Sequence, residues 1–155
     1  MALLVGRHLN KIDRKGRVSV PKPFRDAFES SGFSGIYVFP SFRYPAIEAG
    51  DRRFMERLNS SLESLPIFSD DQEDLASVIL ENAYELAFDP EGRIVLPKVL
   101  VDHAQLGDQA LFVGSGPRFQ IWQPASYETH RGDAFARARA RGATLTLRKD
   151  PEDES

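Results

Sequence analysis

At 155 residues, with 41% hydrophobic and 28% charged side chains, the chain is long enough for one globular domain or two small halves sharing a core. No apolar run approaches the roughly 18 residues of a membrane span, the first eight residues are too short a signal segment, and the lack of cysteine excludes disulfides and thiolate metal sites. The net charge of −3 hides a polarised distribution, basic at the start and acidic in the middle.

In chain order, residues 4–9 read as a strand leading into the turn Asp13-Arg-Lys-Gly-Arg17. Residues 17–20 form the outgoing strand, stopped by Pro21, which is expected at the first position of a helix over residues 21–29. Residues 1–25 carry Arg7, Lys11, Arg14, Lys15, Arg17, Lys22 and Arg25 against the single acid Asp13, a local charge of +6. A basic patch of that kind steers toward phosphate even on an anionic protein, although a solvated face reads the same way. Gly32–Gly35 is expected to turn between strands, with residues 36–39 the next strand. Residues 52–65 read as a helix with Phe54, Leu58, Leu62 and Leu65 on one face. No Lys or Arg follows until after Gly92, while Asp70, Asp71, Glu73 and Asp74 favour the start of a second helix with Leu75, Val78, Ile79 and Asn82 inward. Residues 83–88 and 93–96 flank a second turn, followed by a helix at 97–104 and strands at 110–113 and 119–122. Gly114-Ser-Gly116 reads as a turn, residues 126–143 as a helix, and the charged tail 149–155 as disordered.

An internal repeat organises these elements. Asp13-Arg-Lys-Gly-Arg-Val-Ser-Val-Pro-Lys22 returns as Asp89-Pro-Glu-Gly-Arg-Ile-Val-Leu-Pro-Lys98 at a constant offset of 76 residues. Further on, Ile36-Tyr-Val38 answers Leu111-Phe-Val113. The expected division is a first repeat over 1–62, an acidic helical connector over 63–77, a second repeat over 78–125, and a C-terminal helix and tail over 126–155. In each repeat the aspartate, Asp13 or Asp89, suits an Asx-turn, and the glycine, Gly16 or Gly92, suits a left-handed position closing the hairpin. If Val18 and Val20 face the core, Arg17 and Ser19 face outward, and Arg93 does the same opposite Ile94 and Leu96. Duplication around a pseudo-two-fold axis then brings both arginines to one surface.

Enzyme chemistry finds little support. His8, His103 and His130 lack metal-ligand spacing, and no phosphate loop or nucleophile elbow appears. Asp13 and Asp89 could form a carboxylate dyad, but their turn positions explain them without catalysis. Two readings of Arg17 and Arg93 stay open: contact with DNA, or pairing with Asp13 and Asp89 across their own turns. The first turn adds Arg14 and Lys15 as DNA-contacting candidates; the second offers Pro90 and Glu91, so the first hairpin is expected to dominate affinity.

The two motifs, with Phe24-Arg25, Ser64-Leu-Pro66, His103-Ala104, Gly114 and Ile121-Trp122, resemble the MraZ family from about Val5 to Tyr127. Either motif alone resembles only the wider AbrB/SpoVT swapped-hairpin group. The resemblance implies a mainly β fold with short helices, a double-split β-barrel formed by two pseudo-symmetric AbrB-like halves. It implies no enzyme and no cofactor, but a transcriptional regulator, usually a repressor, of the division and cell-wall gene cluster. Such a regulator binds double-stranded DNA at repeated promoter boxes as a homo-oligomer, a ring, in the cytoplasm and on the nucleoid, away from membranes. The family's Asp-x-x-x-Arg element maps to Asp13/Arg17 and Asp89/Arg93. This sequence departs from the pattern at Gln120, where an acid often stands, over 43–51, and in its C-terminal extension. The rival reading is an AbrB-type protein-interaction or antitoxin-like module, which the short, charged tail disfavours.

Overall fold

A computed structural model describes residues 3–29 and 32–150. The elements run β1 (Arg7–Lys11), β2 (Arg17–Ser19), α1 (Lys22–Glu29), β3 (Gly35–Pro40) and β4 (Ala46–Gly50), then α2 (Arg52–Glu63) and α3 (Asp70–Ile79). After these come β5 (Tyr84–Ala87), β6 (Arg93–Val95), α4 (Lys98–His103), β7 (Gln109–Gly114), β8 (Phe119–Trp122) and α5 (Pro124–Arg141). The order strand, strand, helix, strand, strand occurs before α2 and again after α3.

The architecture is mainly β. Six strands form one antiparallel sheet in the order β1-β7-β8-β4-β3-β5, and β2 and β6 form a separate two-stranded ribbon. The large sheet is open, with β1 and β5 at its edges. Each edge strand runs through its Asp-Gly turn into one strand of the ribbon. Val18, Val20, Ile94 and Leu96 on the ribbon's inner side join Phe24, Phe28, Phe112 and Phe119 in a core where every one of these side chains is buried. Phe119 sits at its centre, with ring centroids 5.1 Å from Phe24 and 5.8 Å from Phe112.

The structure differs from the sequence expectations at several points. Strand β1 begins at Arg7, three residues later than expected, and Leu4 pairs outside it, through an isolated bridge to Gly116, with its side chain buried in the core. Pro21 and Pro97 precede their helices instead of opening them, because their carbonyls accept the first helical N–H groups, from Phe24 and Arg25 and from Leu100 and Val101. The segment Gly32–Gly35 joins a helix to a strand. Asn82 lies beyond α3, exposed, with its amide donating to the Ser77 carbonyl at 3.0 Å. Strand β4 was not anticipated, since Ala-Ile-Glu-Ala-Gly has weak strand propensity; it forms because β3 and β8 pair with it on both sides.

The helix starts follow from their caps. The Asp51 carboxylate accepts from Phe54 N–H at 2.8 Å to open α2, and the Ser69 hydroxyl accepts from Gln72 N–H at 3.2 Å to open α3. Residues 143–150 are exposed and outside any helix or strand, and the expected disorder of the tail falls mostly on residues 151–155, outside the described residues. Among the described residues no helix is long and apolar enough to cross a membrane.

Candidate nucleic-acid interface

Both Asp-Gly turns close as their sequences require. Asp13 Oδ1 accepts from the N–H groups of Lys15 and Arg17, each at 2.9 Å, and the Gly16 N–H donates to the Asp13 carbonyl at 3.0 Å. Asp89 Oδ1 does the same for Glu91 at 2.9 Å and Arg93 at 2.8 Å. Gly16 and Gly92 adopt φ of +79° and +78°, a region that side chains disfavour. At Gly92 a Cβ would also run into the guanidinium of Arg25, whose Nε donates to the Val20 carbonyl at 2.9 Å.

Ribbon register then fixes where the arginines go. Val18 pairs with Ile94, Arg17 with Val95, and Ser19 with Arg93. Under the 76-residue repeat offset Val18–Ile94 maps onto itself and the other two pairs map onto each other, so a pseudo-two-fold axis passes through the Val18–Ile94 pair. The flanking bonds obey the same symmetry: Val20 N–H to Gly92 O at 3.1 Å and Leu96 N–H to Gly16 O at 2.9 Å. Since alternate residues share a face, Arg17, Ser19, Arg93 and Val95 all stand on the side away from the core. Diagonal neighbours on such a ribbon lie about 7–8 Å apart. Arg17 and Arg93 occupy that relation, with side chains 35% and 28% exposed, and Ser19 and Val95 beside them are exposed.

Each arginine is also bonded to its own turn. Arg17 Nε donates to Asp13 Oδ2 at 2.6 Å, and Arg93 Nε donates to Asp89 Oδ2 at 2.7 Å. Backbone hydrogen bonds from Arg17 and Arg93, with the guanidinium groups adding to them, hold the Asp13 and Asp89 carboxyls below the ordinary carboxylate value. Asp89 in turn pushes Arg93 up, and Asp13 of the other turn also contributes, so the two motifs share one electrostatic neighbourhood. Both carboxyls are therefore ionised, each oxygen already accepting hydrogen bonds. A general-acid partner would need its pKa raised, so this geometry does not support a catalytic dyad.

Arg14 and Lys15 are exposed at the tip of the first turn, at one end of the ribbon. The second turn lies at the other end, where Glu91 approaches Arg93 Nη1 at 3.5 Å. The charge difference between the turns survives folding, but Arg25 modifies it. Helix α1 carries this first-repeat cation to the second turn, beside Gly92. In the sequence Arg25 belongs to a basic run and to the family motif; the ribbon pairing that brings it to the second turn is a long-range contact without a local signal. The three histidines remain apart from these turns, and among the described residues no group of three or more His, Asp or Glu could hold a metal.

A family model described as "MraZ protein, putative antitoxin-like" matches residues 79–148. A protein of Gluconacetobacter diazotrophicus called "Transcriptional regulator MraZ" is 41% identical over 142 residues, 90% of each chain. The chain belongs to the MraZ family. A MraZ protein of Pelagibacter ubique with the same description is 40% identical over 147 residues, 95% of each chain. Another, from Parvibaculum lavamentivorans, is 44% identical over 133 residues, 85% of this chain and 83% of that one.

Proposed function

We propose that the chain is a sequence-specific, DNA-binding transcriptional regulator, a repressor, whose ribbon face meets the duplex. The observation that carries this reading is the pairing of Arg17 with Val95 and Ser19 with Arg93, which gives two arginines one exposed face. A two-stranded ribbon fits the major groove, where arginine forks bond guanine edges or phosphates and an apolar group such as Val95 meets a thymine methyl. The Asp13 and Asp89 bonds orient the guanidinium groups through Nε, so pairing within the turn and contact with DNA are compatible. Arg14 and Lys15 grip the backbone at one end. The relatives described as transcriptional regulators support the same function.

In this reading the repeats over 1–62 and 78–125 are the two AbrB-like halves, joined by the connector 63–77 and followed by the segment 126–155. The ribbon, tethered to both sheet edges through the turns, is the split portion of a double-split barrel. One subunit neutralises few phosphates, so tight binding at physiological salt needs linked subunits on repeated boxes. The functional unit is then a homo-oligomeric ring on nucleoid DNA in the cytoplasm, acting on the division and cell-wall gene cluster. Mobility-shift titration of the purified chain on the DNA upstream of its own gene tests this. The expected result is a stepwise shift that scrambled DNA of equal length does not compete away. Equal affinity for both DNAs contradicts sequence-specific regulation, and no shift of either favours a protein-interaction module.

A further inference from the structure

We infer that the groove between α2 and α3 of one chain receives the outer half of α5 from a second copy. This rests on the self-assembly included in the proposed function and names its contact surface. Helices α2 and α3 are tied by Gln72 Nε2 donating to the Leu62 carbonyl at 3.3 Å, and they enclose an open groove of about 620 Å³. Its rim carries Glu63, Glu73, Asp74 and Glu81, and no lysine or arginine lines it. Its apolar part includes Leu80, 38% exposed, and Phe68, 80% exposed. Phe68 has a φ of +63°, a strained conformation for a bulky residue, and it displays its ring to solvent there. The neighbouring Ile67, 75% exposed, extends the apolar patch. An apolar surface inside an acidic rim fits a basic segment with an apolar anchor.

The chain carries such a segment. Helix α5 is fixed to the sheet near its start, where Tyr127 and His130 pack on Trp122. From Arg131 to Arg141 every side chain except Ala134 and Ala138 is exposed. Phe135, 53% exposed, lies between the guanidinium carbons of Arg131 at 5.1 Å and Arg139 at 5.8 Å. With Arg137 and Arg141, this half carries four arginines against the single acid Asp133. Phe135 entering the groove covers two exposed apolar surfaces at once, and Arg131 and Arg139, four residues to either side on the same helix face, meet the acidic rim. Groove and helix are different patches of one chain, so the contact is head-to-tail and forms a closed ring when its rotation closes.

The test is a charge swap on the full chain, read by sedimentation velocity at low salt. One variant carries Arg131→Glu and Arg139→Glu; the other carries Glu73→Arg, Asp74→Arg and Glu81→Arg. Each alone is expected to lose the wild-type assembly, while an equimolar mixture regains it because each altered patch then faces an opposite charge. Circular dichroism checks that both remain folded, and recovery on mixing is a readout that mere misfolding does not give. Wild-type assembly in either variant alone, or no recovery on mixing, overturns the groove contact and leaves self-assembly standing. A monomeric wild type overturns both.

Discussion

Asp13 does two jobs with one carboxylate. Oδ1 closes the turn through two backbone N–H groups, and Oδ2 holds Arg17 by Nε. A simple electrostatic view says that removing an acid beside the DNA surface strengthens binding. The geometry predicts the opposite for Asp13→Ala: affinity falls by about tenfold, because the turn and the arginine lose their orientation. Fluorescence anisotropy with labelled operator DNA measures it. Acid should act in the same direction on stability. The folded carboxyls of Asp13 and Asp89 titrate below the ordinary value of 3.8, so their contribution is complete above that value and is lost as pH falls below it. At Gly92 the left-handed backbone and the Arg25 contact predict separable costs. Gly92→Ala loses about 1–2 kcal/mol to backbone strain and a further amount from displacing Arg25. Denaturant melts of a double-mutant cycle with Arg25→Ala check this, and the further amount should vanish in the Arg25→Ala background. The turns were legible in the sequence because their chemistry lies within five residues of each other. Arg25 was not, since its role depends on β2 meeting β6 across the repeat.

Element placement was legible where periodicity or capping was strong. The helices α2 and α3 and the strands around both turns are close to their expected positions for that reason. Strand β4 escaped because two alanines, a glutamate and a glycine carry no strand signal, and its neighbours decide its state. Its Glu48 is held by Arg118 Nη1 at 2.7 Å and Gln120 Nε2 at 2.6 Å, and Gln120 Oε1 accepts from Trp122 Nε1 at 2.9 Å. Gln120, one of the departures from the family pattern, is thus the central link of a polar chain reaching the tryptophan that seats α5. His130 stacks on that tryptophan at 4.7 Å and packs edge-on against Tyr44 at 4.6 Å. Burial, assisted by Arg137 and opposed by Asp133, lowers its pKa from the ordinary 6.5. The neutral ring is therefore the folded form. Its contribution to α5 docking is present above pH 6.5 and is lost as pH falls below that value. Trp122 is the single tryptophan, so its fluorescence should titrate with a midpoint below 6.5, and His130→Phe should abolish the transition.

At the scale of the molecule, the pseudo-two-fold axis turns a sequence repeat into one surface. Shape is nearly symmetric across the ribbon, but charge is not. Arg14 and Lys15 crown one end, while Glu91 stands at the other, partly offset by Arg25. The repeat and the outward arginines followed from offset and alternation alone. Their shared surface followed from the duplication, but the pairing of β2 with β6 that produces it did not, because strand pairing between distant segments carries no local signal. The central claim is that both arginines of this ribbon face the same duplex, with the first turn dominant. The measurement that tests it most directly is affinity for the upstream DNA over a salt series, for the wild type, Arg17→Ala and Arg93→Ala. Both variants should bind more weakly, and Arg17→Ala should lose more affinity and flatten the salt slope by about one unit. Unchanged affinity and slope in both variants contradict the account.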